Sequence, residues 1–140
     1  MRDRAGEAKC IANMRAICLG LHAHLEEHKN VWPQGPHPTK TKEWEDFWLK
    51  VLAPYGVTPA TWTCPSFDSQ LAAATVPREE RPKIYYTPTL FGPTPGIATR
   101  WSTQPWLIER GNAHGQGALI CFPDGSIKSF NKVLAEMGVR

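Results

Sequence analysis

No stretch of this 140-residue chain comes near the ~20 consecutive apolar residues of a membrane span. No apolar secretory core follows Met1. Cys-x-x-Cys is absent, which removes the usual spacing of a zinc ribbon. So are the phosphate-binding glycine loop, the dinucleotide fingerprint and the Gly-x-Ser-x-Gly nucleophile turn. Charge of one sign never accumulates: the net +3 comes from scattered cations, with no run of five or six like charges. Lys83, Tyr85 and Tyr86 are an aromatic-basic group without a basic stripe, so no nucleic-acid partner is expected. No internal repeat is present.

What remains describes one folded domain, residues 1–140, with 41% hydrophobic residues and enough chain to bury a core. Thirteen prolines, nearly twice a typical ~5%, call for long irregular connections. Six tryptophans supply large surfaces whose default place is core or rim.

The spacing predicts a long amphipathic helix over residues 3–29. Ile11, Met14, Cys18, Leu21 and Leu25 recur at 3, 4, 3 and 4; Ala8 extends this stripe backward and Ile17 widens it. Asn30 suits a left-handed cap and Pro33 forbids continuation. A one-sided stripe this long needs a partner surface, expected to be a sheet containing 118–122. A second helix is predicted over 42–52, capped by Thr41, with Trp44, Phe47, Trp48, Val51 and Leu52 on its apolar face and Pro54 and Gly56 ending it. Residues 54–105 read as proline-rich loops with short strands at 60–64 and 83–87 and a helical turn at 71–75. Residues 106–110 read as a strand leading into a C-terminal hairpin. Asn131 is placed to cap a last short helix over Val133, Leu134 and Met137.

The hairpin is the most distinctive segment. Residues 118–122 form a short apolar strand, Pro123-Asp124-Gly125 a tight turn, and 126–130 the return strand. His114, nine intervening residues, then Asp124-Gly125 make an H-x9-DG pattern. At the other end, residues 4–22 place Asn13, Arg15, Ile17, Leu21 and His22 in a recognisable order. Val31-Trp32-Pro33 follows the helix and Thr63-Cys64-Pro65-Ser66 marks mid-chain. Together these resemble the pilin-like proteins of type II secretion, the pseudopilins with a prepilin-type H-x9-DG motif. The resemblance implies an α+β pilin-like fold: a long N-terminal helix packed on a small antiparallel sheet, with a second helix after it and a short C-terminal helix. It implies a non-catalytic subunit of a type II secretion or type IV pilus-like apparatus, with other pilin-like subunits and the secretion machinery as partners and no cofactor. It also implies an upstream cleaved leader and apolar helix holding the protein in the inner membrane, with its head in the periplasm or outside the cell, and a monomer or weak dimer when that helix is missing. The family motif residues are then His114, Asp124 and Gly125. This chain departs from the pattern after the turn, where Ser126 stands in place of the common His.

His24-Leu25-Glu26-Glu27-His28 matches an H-x-x-E-H string, so a small zinc-dependent hydrolase using His24 and His28 is the rival reading; a polar helix flank is the plainer one. An extracytoplasmic glycan-binding module with exposed tryptophans is the third. Cys10 and Cys18 lie eight residues apart on one helix, about 12 Å of rise, beyond the roughly 7 Å reach of a disulfide. Cys10 is therefore expected to stay unpaired. Cys64 and Cys121 could pair, either could reach Cys18, or Cys18 and Cys121 could be core thiols. A nucleophilic Cys64 or Cys121 with His114 can be drawn without local support. Asp124 reads as a turn former, with calcium a minor alternative.

Overall fold

A computed structural model describes residues 4–138. The chain is α+β, with a long N-terminal helix, a four-stranded antiparallel sheet and a short C-terminal helix. Helix α1 is Arg4–Glu27. The predicted start at Asp3 lies outside the described residues. Its inner face is built from Cys10, Met14, Ile17, Cys18, Leu21 and Leu25, all buried. Ile11 is half-buried and Ala8 exposed. The stripe therefore extends back through Cys10, four residues before Met14, rather than through Ala8. After Glu27 the chain reverses through Lys29 and Asn30, both with positive φ (54° and 62°), and Asn30 N–H reaches back to Leu25 O at 2.7 Å.

Helix α2, Thr41–Val51, has no side-chain cap. Thr41 is its first residue, and its hydroxyl donates back to Pro38 O. Trp44 and Trp48 are buried, Phe47 and Val51 half-buried, and Leu52 is buried just past the end, where a 3-10 turn at Ala53–Tyr55 closes on Gly56 at φ +82°. The carboxylate of buried Glu45 accepts the N–H groups of Lys83 and Ile84, at 2.7 and 3.2 Å, and so fastens α2 to the approach of the first strand.

The 60–64 segment expected as a strand is a turn that feeds helix α3, Pro65–Ala73. Pro65 at the first helical position and a Cys64 side chain accepting from Phe67 N–H set that start. The helical turn expected at 71–75 is the tail of α3.

Strands β1 (Tyr86–Pro88), β2 (Leu107–Glu109), β3 (Leu119–Cys121) and β4 (Ile127–Ser129) follow one another in the sheet, each antiparallel to the next. Leu107 pairs with Cys121, and Cys121 with Ile127. Helix α4, Phe130–Glu136, is capped by Ser129, whose hydroxyl accepts Lys132 N–H; Asn131 lies inside it. Val133 and Leu134 are half-buried, whereas Met137 is 69% exposed.

Helix α1 packs on β3, β4 and α3. Behind α1, five of the six tryptophans are buried. Trp62, Trp48, Trp32 and Trp106 adjoin in series at centroid distances of 6.4, 6.2 and 5.2 Å.

Candidate functional site

The landmarks of the sequence meet along the seam between α1 and the rest of the chain. Asn13 donates to Thr63 O at 3.0 Å, joining the helix to the Thr63-Cys64-Pro65-Ser66 segment. Near the C-terminal end of α1, His22 Nε2 meets Pro123 O at 2.7 Å, joining α1 to the hairpin turn. In that turn Gly125 takes φ +85° and donates to Phe122 O, and Asp124 Oδ1 accepts Ser126 N–H at 2.9 Å. Hydrogen bonding from Ser126 holds the Asp124 carboxyl below its ordinary range. Asp124 and Gly125 are thus turn formers.

His114 does not join them. The nine intervening residues span β3, so the two parts of the H-x9-DG pattern lie beyond its opposite ends. His114 instead enters a buried group with Cys10 from α1, Cys64 from the N-terminus of α3 and Glu109 from β2. One ligating atom from each of the four lies within 4.8 Å of all the others. Cys10 Sγ is 2.8 Å from Cys64 Sγ. Cys64 Sγ stands 3.5 Å from Glu109 Oε2 and 3.9 Å from His114 Nε2, and His114 Nε2 is 3.0 Å from that same Oε2. The side chains of Glu109 and His114 have no exposed surface. Leu119 N–H donates to Glu109 Oε1 at 3.4 Å.

Burial raises the Glu109 carboxyl above its ordinary range, against the pull of His114. Cys10 is lowered, first through its hydrogen bond with Cys64, and Cys64 is raised by the same bond. Phe67 N–H donates to Cys64 Sγ at 3.5 Å, backbone hydrogen bonding from Ser66 reaches Cys10, and the Tyr86 hydroxyl donates to Thr63 O.

The four cysteines are free and buried and fall into two neighbouring pairs, Cys10 with Cys64 and Cys18 with Cys121. Of the pairings the sequence left open, the structure sets Cys121 beside Cys18, while Cys64 lies against Cys10 instead of Cys121. Cys10, expected to stand alone, has a sulfur neighbour contributed by α3. Eight residues along α1 do keep Cys10 from Cys18, but each finds its partner across the seam.

His24 and His28 stack at 3.9 Å with 11° between their planes, and His28 Nδ1 is turned onto His24 O. An ion lies in the plane of each imidazole that binds it, and two nearly parallel rings share no such point. In the Cys64–His114 pair, Glu109 sits on the same ring nitrogen that faces the thiol, and His114 Nδ1 has no partner, so the ring is not held between a thiol on one nitrogen and an orienting acid on the other. Among the tryptophans Trp101 is the exposed one, with Arg100 over its ring at 5.2 Å.

Sequence reasoning set Cys10 apart as unpaired and passed over Glu109. Both had a signal: Cys10 stands at helical spacing from Met14, and Glu109 falls on the inward phase of β2, where Leu107 and Glu109 are buried and Ile108 is exposed. No family model, no curated protein and no solved structure matches this chain.

Proposed function

We propose that this chain is the globular head of a pilin-like, non-catalytic subunit of a type II secretion or type IV pilus-like apparatus, working by assembly with other pilin-like subunits. What supports the reading is that three landmarks far apart in sequence touch in space: Asn13 on α1 meets Thr63 beside Cys64-Pro65, and His22 on α1 meets Pro123 beside Asp124-Gly125. Residues that make up a pattern only by their order in the chain also form the seam that docks the helix. In this reading α1 continues toward the N-terminus as an apolar, membrane-held helix, and the head lies in the periplasm or outside the cell. Loops such as 89–106 would then display specificity to neighbouring subunits or cargo.

The experiment is fractionation of the full-length gene product. It should sediment with the inner membrane, and protease added to spheroplasts should remove the head. A full-length product that stays soluble inside the cell overturns the proposal.

A further inference from the structure

We propose that Cys10, Cys64, Glu109 and His114 bind one zinc-type divalent ion that staples α1 to α3 and the sheet. This goes beyond the assembly role and stands apart from it: the head would hold the ion whether or not it assembles.

The donor set is the first argument. Tetrahedral zinc with bonds of about 2.0–2.3 Å places its ligating atoms roughly 3.3–3.8 Å apart. The distances of 3.0, 3.5 and 3.9 Å among Cys64, Glu109 and His114 bracket that spacing. The sulfurs, at 2.8 Å, must part by about 1 Å to share a tetrahedral ion. Two sulfurs, one imidazole nitrogen and one carboxylate oxygen make a complete set with no open position, the form of a structural rather than a catalytic site.

The surroundings are the second. Two sulfurs this close can share a thiol hydrogen bond, join in a disulfide or share a cation, and only the cation engages all four groups. A disulfide would use the sulfurs and leave unexplained why a wholly buried carboxylate and imidazole point at them. An ion uses all four groups. Binding releases the two thiol protons to solvent and forms two metal–sulfur, one metal–oxygen and one metal–nitrogen bond. The bound site then carries a net charge of minus one. Phe67 N–H and Ser66 N–H face the sulfurs, and Leu119 N–H faces the carboxylate. Amide donors at the start of α3 suit thiolates, which accept such bonds far better than a disulfide does.

The test uses the whole chain and zinc alone. Protein purified from zinc-replete cells should carry one zinc per chain by native mass spectrometry and elemental analysis, with all four cysteines reduced. Exchange for Co²⁺ should give near-ultraviolet sulfur-to-cobalt charge transfer and the visible bands of tetrahedral cobalt. In competition with a chelating dye, His114→Ala and Glu109→Gln should each weaken zinc binding by about tenfold or more. His24→Ala should leave it unchanged. A metal-free chain with Cys10 and Cys64 oxidised together, taking up no zinc after reduction, overturns the proposal. So does zinc binding that survives His114→Ala, or a cobalt complex without sulfur charge transfer. Where a variant fails to fold, the cobalt spectrum of the unaltered chain decides.

Discussion

His24 shows how one side chain can carry a pH signal without binding anything. It is 6% exposed, its Nδ1 has no partner, and its ring lies against His28. Burial, reinforced by the neighbouring imidazole, lowers its pKa, with Glu27 pulling weakly the other way. Near neutral pH the folded and unfolded chains both hold it uncharged, and it contributes nothing. As pH falls through about 6.5, the unfolded chain takes up a proton that the folded chain resists, so stability drops. Urea unfolding at about pH 7.5 and pH 5.5 should show a smaller acid loss in His24→Asn than in the unaltered chain. Equal losses would mean that the ring protonates in place.

At the scale of elements, α1 must lie close to the connection after α2, and Gly20 permits that approach. A Cβ on Gly20 would stand 2.9 Å from Val57 Cγ2 and near Tyr55 and Leu52. Alanine there gains about 1 kcal/mol of helix propensity and meets an overpacking cost of about 1–3 kcal/mol, because Val57 is buried and stiff. Gly20→Ala should therefore lose about 1 kcal/mol in chemical denaturation. Adding Val57→Ala should return the helix gain as a favourable coupling between the two sites. Strict additivity would show that the connection already has room.

The same elements mark what local pattern could reveal. Helix α1 and the β3–β4 hairpin were legible because their burial repeats with the period of the element itself, and Asp124-Gly125 because a tight turn needs those residues. Helix α3 was not. It starts on a cysteine cap, and Pro65 serves a helix start as readily as a loop. Capping of α4 by Ser129 rather than Asn131 turned on a shift of two residues. Cys10 and Glu109 each declared an inward phase. Their convergence with Cys64 and His114 is set by how α1, α3 and β2 pack, and no stretch of sequence holds that information.

The whole molecule hides its aromatic mass. With five tryptophans buried, the large exposed apolar side chains are few and scattered along the sequence, among them Leu19, Leu90, Trp101, Phe130 and Met137. Phe130 and Met137, at either end of α4, are too small a group for a strong association surface. The 140-residue chain should therefore sediment as a monomer or weak dimer in analytical ultracentrifugation. A tight dimer at micromolar concentration would place an interface on that surface.

The seam also bears on how this head would answer a pull along its first helix. Contacts at Cys10–Cys64, Asn13–Thr63, Cys18–Cys121 and His22–Pro123 are strung over about 18 Å of α1. They run beside the helix axis, so tension along α1 loads them together in shear rather than peeling them one by one. The partners on the far side come from residues 63, 64, 121 and 123, so the load passes directly into both the middle and the end of the chain. A head joined this way is gripped along its length, and the helix cannot slide out until the whole row yields at once.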